Sequence, residues 1–388
     1  MYRIKTLNKI AASGLSRLGP QYTHGDSVDE PDAILVRSAS MHDMELPPSL
    51  RAIARAGAGV NNIPVEACSK RGIVVFNTPG ANANAVKELV LAGLLLSSRK
   101  IVPAIDWAKT LKGGGEEVPK LVEKGKSAFT GPEIAGKTLG VIGLGAIGIM
   151  VANSARALGM KVLGYDPYLS VSGAWHLSTS VVPAGSLKEI FASSDYITIH
   201  VPLSSDTKDM VNQESIGLMK DGVRILNFSR AALVRDEDII GALGDGKVAA
   251  YVTDFPTDDV IGVEGVIAIP HLGASTPESE ENCAAMAADQ LVDFLENGNI
   301  RNSVNLPAVC AERSTETRIC VVHENIPNML AQISGMMSKQ KINIENMVNK
   351  SRGNYAYTIL DIVASDFPAE NADFLNAIDG IISVRVIK

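Results

Sequence analysis

Aromatic residues are scarce in this 388-residue chain, at 5% of a composition that is 46% hydrophobic. Its cores must therefore be built from Val, Ile, Leu, Ala and Met. Cysteine is scarcer still. Cys68, Cys283, Cys310 and Cys320 are the whole set, no two form a C-x-x-C pair, and no histidine cluster accompanies them. Such spacing suits neither a zinc site nor a disulfide framework, so no metal is expected. Clustered Lys or Arg are lacking, and the formal net charge is −7. Nucleic acid is not expected as a partner, because phosphate binding draws on concentrated basic charge. No window reaches the roughly 18 apolar residues of a membrane span. The start, MYRIKTLNKI, lacks the apolar core of a signal peptide. The expected location is the cytoplasm, with no membrane partner.

What is present is alternation of strand-like and helix-like runs. In the first 80 residues AILVRSA and GIVVFNTP read as short strands between helical stretches. NANAVKELVLAGLLLSSRK, at 82–100, is apolar on nearly every face. That predicts a helix buried all round, in a core or in a subunit interface. A Gly- and Lys-rich loop is expected around LKGGGEEVPK. From 138 the rhythm sharpens: TLGVIGL, KVLGYD, YITIHVPL, VRILNFS and VAAYVTDF read as buried strands separated by helices. Ser186 and Glu189 form the pattern of a capping box. Apolar strands alternating with helices predict a parallel, doubly wound sheet. After IPHLGAST, Pro277 suits the first position of a helix, and Gly298 suits its end.

PAVCAERSTET, residues 307–317, is polar and aperiodic and reads as a linker. Residues 318–388 then run strand, helix, strand, strand, helix, strand. That order predicts a small α+β unit, an antiparallel sheet with helices on one face. A separate module of this size more often regulates than catalyses.

GLGAIG, Gly143 to Gly148, fits G-x-G-x-x-G. It follows a predicted strand, opens a predicted helix, and is closed by a strand ending at Asp166, 21 residues after Gly145. This is the full context of a dinucleotide fingerprint. Gly143 permits the tight turn, Gly145 lets a pyrophosphate approach the backbone, and Gly148 lets helix and strand pack closely. The phosphates then meet the positive end of the helix. Asp166 can accept from the ribose hydroxyls and would repel a 2′-phosphate. NAD is therefore the expected cofactor, rather than NADP.

Three further sites fall at or just after late strand ends, where open α/β sheets place ligands. They are Arg230 in NFSR, the pair Asp258 and Asp259 beyond VTDFP, and His271 in IPHLGAST. Alcohol oxidation explains the trio. A neutral imidazole takes the hydroxyl proton. A carboxylate behind it fixes the tautomer. A guanidinium holds a substrate carboxylate in a two-point fork. Each residue alone has a plainer reading: a surface His, a solvated Arg, two turn-forming Asp. His200 reads as structural.

GLGAIG with Asp166, NFSRAALV and IPHLGAST together resemble the D-isomer-specific 2-hydroxyacid dehydrogenases, and the resemblance covers almost the whole chain. NTPGANANAVKE resembles the family's crossing into its cofactor domain. HENIPNML and INIENM resemble an ACT regulatory domain. The resemblance implies two Rossmann-like domains, the substrate domain being discontinuous. Residues 1–82 and 271–306 would form it, 83–270 the NAD domain, 307–317 a linker and 318–388 the ACT-like domain. The active site would lie in the cleft. The implied reaction is NAD-dependent oxidation of 3-phospho-D-glycerate to 3-phosphohydroxypyruvate, the first step of L-serine biosynthesis.

The resemblance also assigns roles. Arg230 would bind the substrate carboxylate and His271 would be the acid/base, supported by an acid near 258. Arg37, Ser38, Arg55 and Asn82 would meet the substrate. Ala146, Ile147, Val201, Phe228, Ser229, Asp254, Gly273 and Ala274 would join the three glycines and Asp166 around the cofactor. His323, Asn325 and Asn343 match positions that bind serine in regulated relatives, and a homodimer or tetramer is implied. The family's usual Glu-Pro is Asp258-Asp259 here; counting from Phe255 selects Asp258, and a one-residue gap would select Asp259. The usual Ala-Arg-Gly-Gly is Ser229-Arg230-Ala231-Ala232. The usual Asp-Val-Phe aspartate aligns with Thr253, with Asp254 one place on. Asn328 replaces a Gly. The alternatives are a dehydrogenase for another 2-hydroxy acid, such as glycerate, lactate or 2-hydroxyglutarate, or an NAD-sensing corepressor-like binding protein.

Overall fold

β-branched runs bounded by Gly, Pro and Asp give short buried strands in the first 80 residues. They are β1 (Tyr2–Leu7), β2 (Tyr22–Gly25), β3 (Ala33–Val36), β4 (Ala52–Arg55) and β5 (Val74–Phe76). All pair in parallel, in the order β2-β1-β3-β4-β5. The computed structural model describes residues 1–363 and 369–388. The chain divides into two units. The first is discontinuous, Met1–Asn82 with Pro277–Lys388, and the second is Ala83–Thr276. The turn 271–276, read from sequence as part of the substrate-side segment, thus belongs to the second unit.

The second unit is built on seven parallel strands: β6 (Thr138–Ile142), β7 (Lys161–Tyr165), β8 (Val182–Pro183), β9 (Tyr196–Ile199), β10 (Val223–Asn227), β11 (Val248–Thr253) and β12 (Val266–Ala268). Their order is β12-β11-β10-β9-β6-β7-β8. The sheet is doubly wound, with its direction of build reversing between β6 and β9. The Ala83–Arg99 helix packs Val86, Val90 and Leu94 into this core. Within the chain it is not buried all round: Leu95 on its far side is 44% exposed, which leaves the subunit-interface alternative for that face. The loop expected around 111–120 forms over 111–114, after an Ile101–Thr110 helix; it then passes through a 3-10 turn at Gly115–Glu117 into the Val118–Gly125 helix, and neither α-helix buries a residue. Ser186 caps the Leu187–Ser193 helix by accepting from the Glu189 amide. The return arm of the expected capping box is absent, because the Glu189 carboxylate accepts from Gly185 N instead, at 2.8 Å.

The C-terminal sheet comprises β13 (Thr317–Glu324), β14 (Asn343–Arg352), β15 (Tyr355–Val363) and β16 (Ile381–Ile387), antiparallel in the order β14-β15-β13-β16. Ala364, read as the last residue of the third strand, lies outside the described residues. The Met329–Lys339 helix forms as expected, but the second connection is a 3-10 helix, Ala369–Ala377. Asn328 stands at φ 71°, a left-handed conformation that Asn tolerates better than most side chains. The sheet differs from a free-standing module in burying both faces. Ile319, Val321, Leu360 and Ile362 face its own helices. Cys320, Val322, Tyr357 and Ile359 instead join the core around the Pro277–Asn297 helix.

The presumed linker is fastened as well. Ile300 and Val309 exchange backbone hydrogen bonds at 2.8 and 3.0 Å, and Ala311 N donates to Asn299 Oδ1. Arg318 is fully buried beside Asp361 and donates onward to the carbonyls of Asn297, Ala311 and Glu312. Among the described residues no helix is long and apolar enough to cross a membrane, and no His, Cys, Asp or Glu group could hold a metal ion.

Candidate active site

The glycine loop follows from local sterics. Val141 and Ile142 are buried as β6 ends, and the chain must reverse at once into the Ala146–Ala157 helix. Gly143 has φ +90°, and a Cβ there would meet the His200 carbonyl at 2.5 Å. A Cβ on Gly148 would lie 1.9 Å from the Gly143 carbonyl, so this glycine is needed for packing. Around Gly145 a Cβ would meet nothing within 4 Å. An open position at a helix N-terminus is what an approaching anion requires. Ala146 and Ile147 open that helix.

Asp166, just past β7, ties the loop to the next strand. Its Oδ2 accepts from Leu144 N and its Oδ1 from Tyr168 N, both at 2.8 Å. Each oxygen keeps a lone pair for a ribose hydroxyl. Asp166 also lines a cavity of about 550 Å³, walled by Leu144, Leu169, Leu177, Val181 and neighbours. That size and apolar lining suit a small-molecule ring. No Lys or Arg lines it. The residues present thus fit NAD. Gly145→Val is expected to leave Tm nearly unchanged while weakening NADH binding at least tenfold, about 1.4 kcal/mol. Gly148→Ala should lower Tm instead. Fluorescence titration and thermal melts check both, and a Gly145 variant that binds NADH normally contradicts the assignment.

At the neighbouring strand ends three side chains form a stack. Arg230 lies three residues beyond β10, with its guanidinium carbon 5.5 Å from the centroid of the Phe255 ring. On Phe255 also rests the His271 imidazole, centroids 4.3 Å apart and tilted 45°. Pro270 ends the chain's run from β12, and His271 is exposed. Read from the sequence, Phe255 marks the count to Asp258 and carries no role of its own. Its signal was its position: an aromatic at a strand end, in a chain with few aromatics.

The carboxylate beneath the stack is Asp254, 2% exposed. Burial raises its pKa, opposed by the His271 ring, the Gly273 amide and Arg230. Gly273 N–H therefore binds the carboxylate, which fixes the turn carrying His271. Asp258 and Asp259 are exposed in the turn beyond. Among the described residues no hydrogen bond or ion pair joins either of them to His271. The chain turns early because Thr253 Oγ1 accepts from Phe255 N at 3.0 Å.

Phe228 is buried, and Ser229 donates to the Ile199 carbonyl at 2.7 Å. Val201 packs beside Gly143, and Ala274 follows Gly273 in the turn. His200 lies just past β9 rather than in it. Burial pushes its pKa down to about 4. Its ring is thus neutral above that value, with Nε2 against Thr198 Oγ1 at 2.9 Å. A histidine with a depressed pKa adds stability above its unfolded value, about 6.5, which is lost as pH falls towards 4.

In the first unit, Arg37, Ser38 and Arg55 gather at the carboxyl ends of β3 and β4, and Asn82 is that unit's last residue before the crossing. In the C-terminal sheet, His323 is buried, with Nδ1 against the Glu324 carbonyl and Nε2 against Thr358 Oγ1. Asn325 donates to the Gly353 carbonyl. Asn343 does not join them. His323 pairs with Ala356 and so aligns with Ser351, whereas Asn343 starts the same strand eight residues earlier. A bulge takes up one of these, so on the partner strand the span is seven residues, Ala356 to Val363, about 24 Å at ~3.4 Å per residue.

The family described as D-isomer specific 2-hydroxyacid dehydrogenase, NAD binding domain, matches residues 91–273. The chain is 33% identical to D-3-phosphoglycerate dehydrogenase of Methanocaldococcus jannaschii over 341 residues, 82% of this chain and 63% of that protein. It is 32% identical to the enzyme of that name from Mycobacterium bovis over 387 residues, 92% of this chain and 70% of that protein. A solved NAD+-bound 3-phosphoglycerate dehydrogenase of Entamoeba histolytica is similar with a TM-score of 0.60 and 26% identity, over 78% of this chain and 98% of that one. The chain spans only 52–63% of the length of four curated relatives named D-3-phosphoglycerate dehydrogenase, that of Methanocaldococcus jannaschii among them.

Proposed function

Since this chain belongs to the D-isomer-specific 2-hydroxyacid dehydrogenases, we propose that it oxidises a D-2-hydroxy acid with NAD, and that the acid is 3-phospho-D-glycerate. The observation that carries the reading is the Arg230–Phe255–His271 stack above the buried Asp254. Bound NAD supplies the hydride acceptor. The residues that would hold it are the Gly143–Gly148 loop with Ala146 and Ile147 at the phosphates, Asp166 at the ribose, and Val201, Phe228, Ser229, Gly273 and Ala274 towards the nicotinamide.

Arg230 then forks the substrate carboxylate, which aligns the carbon that loses hydride. His271 Nδ1 or Nε2 takes the hydroxyl proton. Asp254 takes the electrostatic role that counting along the chain gave to Asp258, because its charge acts on both His271 and Arg230. Arg37 and Arg55 favour an acid with a second anionic group. That preference and the names of the relatives support 3-phosphoglycerate over lactate or glycerate, a reaction at the entry to serine synthesis. The test is a substrate panel: NAD reduction should be fastest with 3-phosphoglycerate, and equal rates with D-lactate and D-glycerate would remove the substrate assignment.

The role of Asp254 has its own test. Burial raises its carboxyl above the ordinary Asp value, so its charge is lost at milder acidity than that of an exposed Asp. Asp254→Asn should lower kcat/KM at pH 8 by about tenfold, the scale of one nearby charge. It should also remove the acid limb of the kcat/KM–pH profile that this carboxyl sets. A variant with the wild-type profile would exclude Asp254 from the chemistry.

A homodimer or larger homo-oligomer is the assembly we favour. Ile105, Leu121 and Val122 stay exposed on helices that bury no residue within the chain, and Leu95 is exposed on the far side of the Ala83–Arg99 helix. For the ACT-like C-terminal sheet, a serine-sensing role would need a second copy to supply Asn343 near His323 and Asn325.

A further inference from the structure

Two arginines stand at the carboxyl ends of neighbouring parallel strands in the first unit. Arg55 closes β4, and its register partner on β3 is Val36, the residue before Arg37. Arg55 Nε donates to the Arg37 carbonyl at 2.9 Å, and its Nη1 binds the Gly59 carbonyl. Asn8, at φ 69°, fastens the next turn: its Oδ1 accepts from Ser38 N at 3.0 Å and from Ala39 N at 2.6 Å. The backbone beneath the guanidinium groups is therefore pinned. The replaceable part is the side-chain pair above it. Arg37 Nη2 lies 2.5 Å from Glu280 Oε1, both side chains being 41% exposed, and Glu280 sits in the first turn of the Pro277–Asn297 helix.

We propose that Glu280 is an internal competitor for the substrate's second anionic group, occupying Arg37 until a phosphate monoester dianion displaces it. The inference rests on the substrate reading above. A carboxylate and a phosphate offer a guanidinium the same two-point contact, but the dianion carries more charge and so wins the exchange. An exposed ion pair is weak, so displacing it costs only about two- to fivefold in affinity. A hydroxy acid without a second anion leaves the Arg37–Glu280 pair intact and gains nothing from Arg37. Glu280 thus biases the site: it lowers the occupancy of weakly bound anions by the same small factor, and a phosphoester dianion overcomes it.

The test is Glu280→Gln in the full chain, which keeps the side chain's shape and removes its charge. The KM for 3-phosphoglycerate should fall about two- to fivefold, with the KM for D-glycerate unchanged. Inorganic phosphate should raise the Tm of the variant more than that of the wild type. An unchanged or raised KM for 3-phosphoglycerate, or equal phosphate shifts, overturns the proposal. If the wild type does not turn over 3-phosphoglycerate, the substrate reading fails, and the phosphate melts still decide the role of Glu280. Should Glu280→Gln not fold, Arg37→Gln must raise the KM for 3-phosphoglycerate and abolish the phosphate stabilisation; an Arg37 variant with neither change overturns the proposal as well.

Discussion

Replacing His271 with alanine is expected to lower kcat by about 10²–10⁴-fold, the usual worth of a positioned acid–base group. The site's construction makes this a clean test. The imidazole is exposed and rests on Phe255 by ring contact, so removing it opens no core cavity. The turn that carries it is held by Asp254 and the Gly273 amide, which the substitution leaves in place. NADH affinity and Tm should therefore stay near wild type while turnover collapses. Stopped-flow or steady-state rates with saturating NAD check it. Unchanged turnover would remove His271 from the chemistry, and a collapse of Tm would show a structural role instead.

The largest expected effect on stability lies far from that site. Asp361→Asn is expected to cost about 3–5 kcal/mol, because it leaves a buried guanidinium without its counter-charge. Arg318 donates to Asp361 through Nε at 2.6 Å and Nη2 at 3.0 Å, and both side chains are fully buried. Burial alone would raise the Asp361 pKa, but Arg318 and Ser314 outweigh it and hold the carboxyl below its usual value. A depressed carboxylate adds stability above its unfolded pKa, near 3.9, and loses it as pH falls through the folded value. Urea unfolding should thus show a lower midpoint for the variant at pH 7, with m little changed. The gap between variant and wild type should narrow in strong acid. A midpoint within experimental scatter of wild type would mean that the pair does not hold the C-terminal sheet in place.

Much of this was legible in the sequence where a residue type serves one steric purpose. Gly143 and Gly148 could be read as glycines because any Cβ would strike a backbone carbonyl. Pro277 and Gly298 bound their helix where punctuation of that kind predicts. Depth was not legible. Spacing selects Asp258 as the partner of His271, yet the chain bends one residue after β11, through Thr253 Oγ1, and Asp254 is the carboxylate carried inward. Linear spacing cannot show on which side of such a bend a residue falls.

The segment 307–317 reads as a linker because it is polar and aperiodic. It is pinned by main-chain bonds and by Arg318, and neither has a periodic signature. RICVVHE did carry a hint. Its apolar residues are consecutive rather than alternating, as suits a strand covered on both faces. Ile319 and Val321 face one core while Cys320 and Val322 face the other. The separation of Asn343 from His323 follows from strand register, which fixes the ends of a sheet only once the pairing is known.

The central claim is that NAD takes hydride from the carbon bearing the hydroxyl of 3-phosphoglycerate. Supplying 3-phospho-D-glycerate deuterated at C2, with NAD, tests it in one measurement: mass spectrometry of the NADH formed. The account predicts NADH carrying one deuterium, heavier by one mass unit, and none of that label in solvent. Unlabelled NADH, or no NADH at all with this substrate, would contradict it.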